Sequence, residues 1–148
     1  MTQADESLTT DRWTTGDDPD QTGHRFLEAR IDEFNKAVTG VHQVESVAYF
    51  VRDESNAIVA GLSSWIWDNC LHVEFLWVRE DRRGCGYGTR LMELAERAGR
   101  ERGCREMMLD THSFQAPDFY RRLGFAVCAV IEDYPLGHQK FTLRKVLT

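Results

Sequence analysis

The part of the sequence best equipped for chemistry is a glycine-rich run of seven residues, Arg83-Gly84-Cys85-Gly86-Tyr87-Gly88-Thr89. Three glycines in five residues permit backbone angles that side chains would forbid, and they let main-chain N–H groups approach a ligand closely. A helical pattern begins near Tyr87, and the first N–H groups of a helix lack intrahelical partners and carry partial positive charge. Residues 79–105 also carry a net charge of +3, because eight arginines face five acidic side chains. The run therefore predicts a site for the phosphate groups of a ligand.

Three other interpretations of this run agree less well with the surrounding residues. A Walker-type phosphate loop is excluded because no Gly-Lys-Ser/Thr follows the glycines. A dinucleotide-binding fold is favoured by Asp110, about twenty residues on, but the glycines are spaced G-x-G-x-G instead of G-x-G-x-x-G. That fold also needs more strand–helix–strand units than the one present here. A turn that serves packing alone would leave the convergence of Arg83 and three N–H donors unexplained.

The elements that must position this run follow from hydrophobic periodicity. It predicts three helices: one carrying Phe26 to Val38 and ending at Gly40, one beginning near Tyr87 with Gly103 as its C′ residue, and one from Pro117 to Gly124. Strands are predicted at Val44–Arg52, Ala57–Trp67, Leu71–Val78, Arg105–Thr111, Phe125–Ile131 and Lys140–Val146, with another short one near Arg12–Thr14. The first three long runs are joined by short polar turns and should form an antiparallel meander. We therefore expect a mixed sheet with helices on its faces.

Composition and charge place the chain among ordinary globular domains. Its 148 residues suffice for one domain, and 42% hydrophobic with 28% charged residues excludes a disordered, collagen-like or coiled-coil chain. Residues 1–20 carry −5 of the net charge of −6 and are expected to form an acidic, flexible tail, whereas residues 21–148 form one nearly neutral domain. That neutrality argues against nucleic-acid binding. No apolar run reaches the ~20 residues of a membrane span and no secretory signal is visible, so we expect no membrane partner and a cytoplasmic location.

The cysteines give no sign of a metal site. Cys70, Cys85, Cys104 and Cys128 show no C-x-x-C spacing and no paired histidine motif, which a structural zinc site would require. We expect no metal and reduced thiols, with Cys104 and Cys128 filling the core.

Two motifs, in matching order and spacing, resemble those of the GCN5-related N-acetyltransferases. The glycine run, Arg83 to Gly88, resembles that family's acyl-CoA pyrophosphate motif, Gln/Arg-x-x-Gly-x-Gly/Ala. Glu74–Val78 looks like its central strand, and residues 116–125, Ala-Pro-Asp-Phe-Tyr-Arg-Arg-Leu-Gly-Phe, are similar to its signature Ala-x-x-Leu-Tyr-x-x-x-Gly-Phe. The resemblance is closest over residues 70–131. One departure is Ser113, which stands where the family frequently has Asn.

The resemblance implies a fold and a co-substrate. In this family the central strand and the next strand of the sheet splay apart, and the pantetheine of acetyl-CoA fills the gap like an extra strand. The implied architecture is a mixed α/β (α+β) fold with a central, largely antiparallel sheet of six or seven strands, flanking helices and a splayed acetyl-CoA-binding cleft. The residues implied to bind acetyl-CoA are Leu76, Trp77, Val78, Arg83, Gly84, Cys85, Gly86, Tyr87, Gly88, Thr89, Ser113, Ala116 and Tyr120.

The implied reaction moves an acetyl group from acetyl-CoA to a primary amine by direct attack in a ternary complex. The amine must lose a proton before it attacks, and the departing CoA thiolate benefits from a proton donor. Tyr120, which aligns with the family's tyrosine, is the expected donor. The expected base is Glu74 or His72, which share a strand face by the period of two. Because a carboxylate is costly to bury in an apolar strand, Glu74 is favoured as base or substrate anchor.

The acceptor site is expected near the first helix, the sheet and the last hairpin. Its candidate residues are Asn35, Trp65, Trp67, Asp133 and Tyr134. Residues 21–148 leave little room for a protein-docking extension, which favours a small-molecule amine, although aminosugars, polyamines, amino-acid derivatives and protein amines all stay open. The alternative function is a non-catalytic acyl-CoA-binding or regulatory module on the same fold. Exposed strands could also pair two copies into a homodimer.

Overall fold

The first part of the structure is an amphipathic helix. The computed structural model describes residues 11–14 and 16–147, in two compact units of which the first ends at Gly40. In that unit, α1 spans Thr22–Thr39 as the periodicity predicts, and Gly40 in the left-handed conformation (φ 71°) ends it. Residues 11–14 are irregular, so the strand expected near Arg12–Thr14 is wrong. A strand needs a neighbouring strand for its main-chain hydrogen bonds, and none of the six strands of the described sheet pairs with this segment.

The second unit is built on one six-stranded sheet. Its strands are β1 (Val44–Arg52), β2 (Ile58–Trp67), β3 (Cys70–Val78), β4 (Glu106–His112), β5 (Ala126–Glu132) and β6 (Gln139–Val146). They lie in the order β1-β2-β3-β4-β6-β5, and among the described strands each neighbouring pair is antiparallel except the parallel pair β3–β4. The predicted meander and the mixed, largely antiparallel sheet are confirmed.

Two α-helices and a short 3-10 helix (Glu80–Arg82) accompany this sheet in the described residues. α2 spans Tyr87–Glu101, and α3 spans Pro117–Arg122, beginning with a proline whose missing N–H would have no helical partner. The apolar face of α2 packs into the core of the unit, whose most deeply buried members include Leu62, Leu71, Ala95, Met107, Leu109 and Leu143. Cys104 is buried in this core as expected, but Cys128 is exposed on β5, so the expectation for Cys128 is wrong. β5 is an edge strand on which six of the seven residues, Cys128 among them, are exposed, while Val127 packs against the core.

The sheet opens between β3 and β4. The two strands run side by side for four residue pairs, the last of which is Val73↔Leu109. β3 continues as far as Val78, so its last part has a main-chain edge with no β4 partner. On the other edge β3 stays paired with β2, where Glu74 is the extra residue of a β-bulge. The implied splay of the central strands is therefore present.

Candidate active site

A cleft of about 890 Å³ lies between the separated ends of β3 and β4. Its walls come from the unpaired part of β3, the loop before α2 with the first turn of that helix, the end of β4, the loop that follows β4, and α3. Small-molecule sites typically have volumes of about 300–1,000 Å³, so the cleft is of ligand-binding size. The residues of the sequence analysis that line it are Glu74, Leu76, Trp77, Val78, Arg83, Gly84, Gly86, Tyr87, Gly88, Thr89, Ala116 and Tyr120.

The start of α2 forms the predicted phosphate-binding end of this cleft. Gly84 and Gly86 have φ values of 71° and 85°, in the left-handed region that favours glycine. Gly86 is the N-cap of α2 and no side chain caps the helix, so its first N–H groups are available to a ligand. A Cβ built on Gly84 or Gly86 meets no atom within 4 Å, so a ligand group can approach this backbone closely. The arrangement fits a pyrophosphate.

The third glycine of the run serves packing. A Cβ on Gly88 would lie 3.2 Å from Cζ of Phe119 on α3. The two helices therefore approach each other closely at this residue, and the contact positions α3 at the wall of the cleft. The packing explanation that the sequence analysis set against a phosphate site thus holds for Gly88 alone, while Gly84 and Gly86 remain free of such contacts.

Arginines lie around the phosphate-binding end. Nε of Arg83 donates to the main-chain oxygen of Val78 at 3.0 Å, which fastens the loop to the end of β3 and leaves the terminal guanidinium N–H groups for a ligand. Arg122 on α3 lines the cleft as well, and it makes no ion pair with any described residue. Arg122 was not among the residues expected to bind the co-substrate. The two adjacent arginines before Leu123 and Gly124 were the available signal.

Tyr120 lies on α3 and lines the cleft. Its ring packs edge-on against Phe119 and Phe125, with centroid separations of 5.0 and 6.2 Å. Burial raises the pKa of the Tyr120 hydroxyl above its ordinary value, so the group stays protonated in the neutral range. No described residue hydrogen-bonds to this hydroxyl. A fixed, protonated hydroxyl in a cleft has the properties that a general acid needs.

Glu74 lines the opposite wall, at the bulge of β3. Its side chain is exposed, so the expected burial of this carboxylate is wrong. The reason is the alternation along β3: Leu71 and Val73 are buried in the core, so the residue that follows them belongs to the opposite face of the strand. The carboxylate has neither a hydrogen bond nor an ion pair with the described part of the chain. It is therefore free to accept a proton or to hold a cation.

His72 lies outside the cleft wall. Its ring stacks on Trp65 with centroids 4.7 Å apart and 22° between the planes, and Nδ1 is buried without a hydrogen-bond partner in the described structure. The cleft lining begins at Val73, one residue beyond His72, so the two candidate bases do not line the cleft together. The structure brings Glu74, and not His72, to the cleft.

Asp110 is a cleft residue that the sequence analysis considered only in connection with a dinucleotide fold. Its Oδ1 accepts a hydrogen bond from the Thr142 hydroxyl at 2.7 Å, and its Oδ2 lies 3.2 Å from Nζ of Lys140. Burial acts to raise the pKa of Asp110, but the hydrogen bonds from Thr142 and Lys140, helped by the charge of Lys140, hold it below its ordinary value. Asp110 is therefore an anion throughout the neutral range.

Aromatic rings connect the cleft wall to the β5–β6 loop. Phe114 lines the cleft, and its ring stacks on His112 at 5.2 Å and meets His138 edge-on at 4.9 Å. His112 in turn stacks on Tyr134 at 6.2 Å. Tyr134, a predicted acceptor residue, is thus linked through His112 and Phe114 to the cleft. Phe114 was missed because nothing in the sequence distinguishes it from a loop residue.

Two further predicted residues accept hydrogen bonds from main-chain N–H groups of the β5–β6 loop and the start of β6. The hydroxyl oxygen of Ser113 accepts the N–H of Gln139 at 3.0 Å, so it faces β6 and not the cleft. A carboxylate oxygen of Asp133 accepts the N–H of Gly137 at 3.2 Å and closes the β5–β6 loop. Four ligand-binding roles stay predictions, those of Asn35, Trp65, Trp67 and Cys85.

The chain is similar to known acetyltransferases in sequence and in fold. Residues 6–125 match the acetyltransferase (GNAT) family. Blasticidin-S acetyltransferase from Streptomyces morookaense is 40% identical over 105 residues, which are 70% of this chain and 77% of the relative. Streptothricin acetyltransferase from Streptomyces lavendulae is 37% identical over 73 residues, 48% of this chain and 39% of the relative. The crystal structure of an acetyltransferase from Bacillus cereus has a TM-score of 0.81 and 30% identity, covering 93% of this chain and 99% of that one.

The chain belongs to the acetyltransferase (GNAT) family, as its motifs implied. It is an acyltransferase enzyme, which disfavours the non-catalytic alternative, and its mixed α/β fold is the fold of its solved relatives. Over residues 11–14 and 16–147, no three His, Cys, Asp or Glu side chains are grouped so that they could hold a metal ion. The same residues include no helix long and apolar enough to cross a membrane.

Proposed function

We propose that this enzyme transfers the acetyl group of acetyl-CoA to a primary amine of a small molecule, by direct attack in a ternary complex. The observation that carries the proposal is the continuity of the cleft. It extends from the glycine loop at the start of α2, along the unpaired edge of β3, to the carboxylate of Glu74. Acetyl-CoA, the co-substrate of the family, has phosphates at one end and a thioester at the other, which matches the chemistry of these two ends.

The residues present fit this co-substrate. The free N–H groups of the first turn of α2, with Arg83 and Arg122, supply donors and positive charge for phosphates. The unpaired edge of β3 offers the main chain of Leu76 and Val78 to the amide groups of pantetheine, in the manner of an added strand. The open space beside Gly84 and Gly86 accommodates the close approach that such contacts need.

The chain's own residues supply the proton transfers. Glu74 takes the proton that the amine loses, directly or through a water molecule, and Tyr120 gives a proton to the sulfur of the departing CoA. Main-chain N–H groups on the free edge of β3 stabilise the negative charge that develops on the carbonyl oxygen. As the C–N bond forms and the C–S bond breaks, the acetyl group passes directly between the substrates, so no residue has to carry it.

A small-molecule acceptor is supported by two observations. Two relatives are named for blasticidin S and streptothricin. The carboxylates of Glu74 and Asp110 both line the cleft, and negative charge there attracts a cationic amine before it is deprotonated.

The proposal is tested by calorimetric titration with acetyl-CoA, with NAD in a parallel cell, followed by thiol-release assays with a panel of small primary amines. We expect saturable binding of acetyl-CoA alone, amine-dependent release of CoA, and an acetylated amine identified by mass spectrometry. Binding of NAD in place of acetyl-CoA would contradict the reading of the glycine loop. Binding of acetyl-CoA without CoA release for any small amine would contradict the proposed reaction.

A further inference from the structure

Each wall of the cleft places a carboxylate where the two strands separate. The last residue pair between β3 and β4 is Val73↔Leu109, and the next residue is acidic on both strands, Glu74 on one and Asp110 on the other. Both line the cleft. The function proposed above uses Glu74 in proton transfer and assigns no particular task to Asp110.

The two carboxylates differ in what holds them. Asp110 accepts a hydrogen bond from Thr142 at 2.7 Å and lies 3.2 Å from the ammonium of Lys140, whereas Glu74 has no such partner among the described residues. A carboxylate that two donors keep ionised is a poor proton acceptor and a good ligand for a cation. Asp110 is therefore suited to binding, and Glu74 to proton transfer.

Lys140 shows which kind of group this carboxylate binds. Its Nζ lies 3.2 Å from Oδ2 of Asp110 and 5.7 Å from the centroid of the Tyr134 ring. A carboxylate beside an aromatic face is a combination that binds ammonium and guanidinium groups. The Lys140 side chain is 26% exposed and flexible by nature, so its ammonium can return to water when another cation takes its place.

We propose that Asp110 binds a second cationic group of the acceptor, in exchange for the ammonium of Lys140. The enzyme then selects acceptors that carry an ammonium or guanidinium group in addition to the amine that is acetylated. Tyr134 supplies the aromatic face of this subsite. The inference rests on the proposed function, because it assigns the acceptor class of the same cleft.

Matched acceptors test this selectivity. Diamines of three to six carbons are compared with amino alcohols of the same length, so that each pair shares the primary amine and differs only in a terminal ammonium or hydroxyl. We expect the KM of the best diamine to be at least about tenfold below that of its amino alcohol, with similar kcat. Asp110→Asn should remove this preference by raising the KM of the diamine. Lys140→Met keeps the apolar stem, removes the competing ammonium, and should lower the KM of the diamine severalfold.

A second ion pair on the same two strands provides the control. Glu106 on β4 and Arg144 on β6 are joined outside the cleft wall, and Glu106→Gln should leave both KM values unchanged. A purely structural role for the pair of Asp110 and Lys140 would make Asp110→Asn change the KM of diamine and amino alcohol alike. That result, or a rise in the KM of the diamine with Lys140→Met, would overturn the inference.

Direct titration separates this inference from the proposed function. Diamine and amino alcohol are each titrated into the wild-type chain and the Asp110→Asn variant in the presence of saturating CoA, where no transfer occurs. Tighter binding of the diamine that is lost in Asp110→Asn supports the subsite even if no amine releases CoA from acetyl-CoA. Equal binding of the two acceptors by the wild-type chain would overturn the subsite even if both are acetylated.

Discussion

Gly86 offers a sharp test of the phosphate-binding end of the cleft. Its φ of 85° lies in the left-handed region, where an L-residue costs about 1–2 kcal/mol. A Cβ at Gly86 meets no protein atom within 4 Å, so Gly86→Ala adds backbone strain without a clash. We expect a loss of about 1–2 kcal/mol in the free energy of unfolding, and a fall in Tm of roughly 2–8 °C. The new methyl group also lies beside the first N–H groups of α2, so the Kd for acetyl-CoA should rise at least about tenfold, which is 1.4 kcal/mol of binding free energy.

Gly103 is the matched control for this substitution. Its φ of 78° is also left-handed, and a Cβ there also meets nothing within 4 Å, but the residue follows the other end of α2 and does not line the cleft. Gly103→Ala should therefore lower Tm by a similar amount and leave the Kd for acetyl-CoA unchanged, as measured by thermal unfolding and calorimetric titration. Gly86→Leu, which extends farther from the loop, should abolish measurable binding. An equal Kd in the two alanine variants would refute the placement of the phosphates at α2.

The remaining predictions concern α3. Tyr120→Phe should lower kcat about 10²-fold, the effect of losing a general acid, and leave the Kd for acetyl-CoA unchanged; equal turnover in variant and wild type would contradict the role of the hydroxyl. Because burial raises the pKa of Tyr120, the alkaline loss of kcat that belongs to this group should begin above the ordinary tyrosine value of about 10, and it should be absent from the pH profile of Tyr120→Phe. Arg122→Gln should raise the Kd for acetyl-CoA several-fold and weaken its dependence on salt, with kcat at saturation preserved. The neighbouring Arg121→Gln, whose side chain pairs with Asp118 and does not line the cleft, is its control, and the same change in Kd for both variants would argue against a phosphate contact by Arg122.

The order of elements was predictable because each element carries its own local signal. β1, β2 and β3 are runs rich in β-branched and aromatic residues and are separated by short polar turns, so an antiparallel meander follows from the sequence alone. Pro117 and Gly124 mark the beginning and end of α3 with residues whose backbone preferences are strong. The backbone conformation of the glycine loop was predictable for the same reason, since Gly84 and Gly86 have the left-handed conformations that glycine favours.

The residues at the splay were harder to predict because their roles depend on pairing between distant segments. The β-bulge at Glu74 arises where β3 pairs with β2, and nothing within β3 itself indicates where the alternation breaks. Asp110 lies in the cleft because the pairing of β3 with β4 ends just before it. Its contacts are with Thr142 and Lys140 on β6, and Thr142 is 32 residues away along the chain. Strand periodicity gives the face of a side chain, but it does not give the partner at which the register stops.

The unpaired part of β3 is a strand edge in the interior of a sheet, not at its border. Edges of this kind readily accept a foreign extended segment, which is why proteins commonly shield them. A co-substrate lying along this edge would take the place of the missing strand and seal the sheet, so that the small molecule becomes part of the architecture while it is bound. The free protein is then the form open to mispairing with other chains and to proteolysis after local opening. Bound acetyl-CoA would thus protect the fold in addition to supplying the acetyl group.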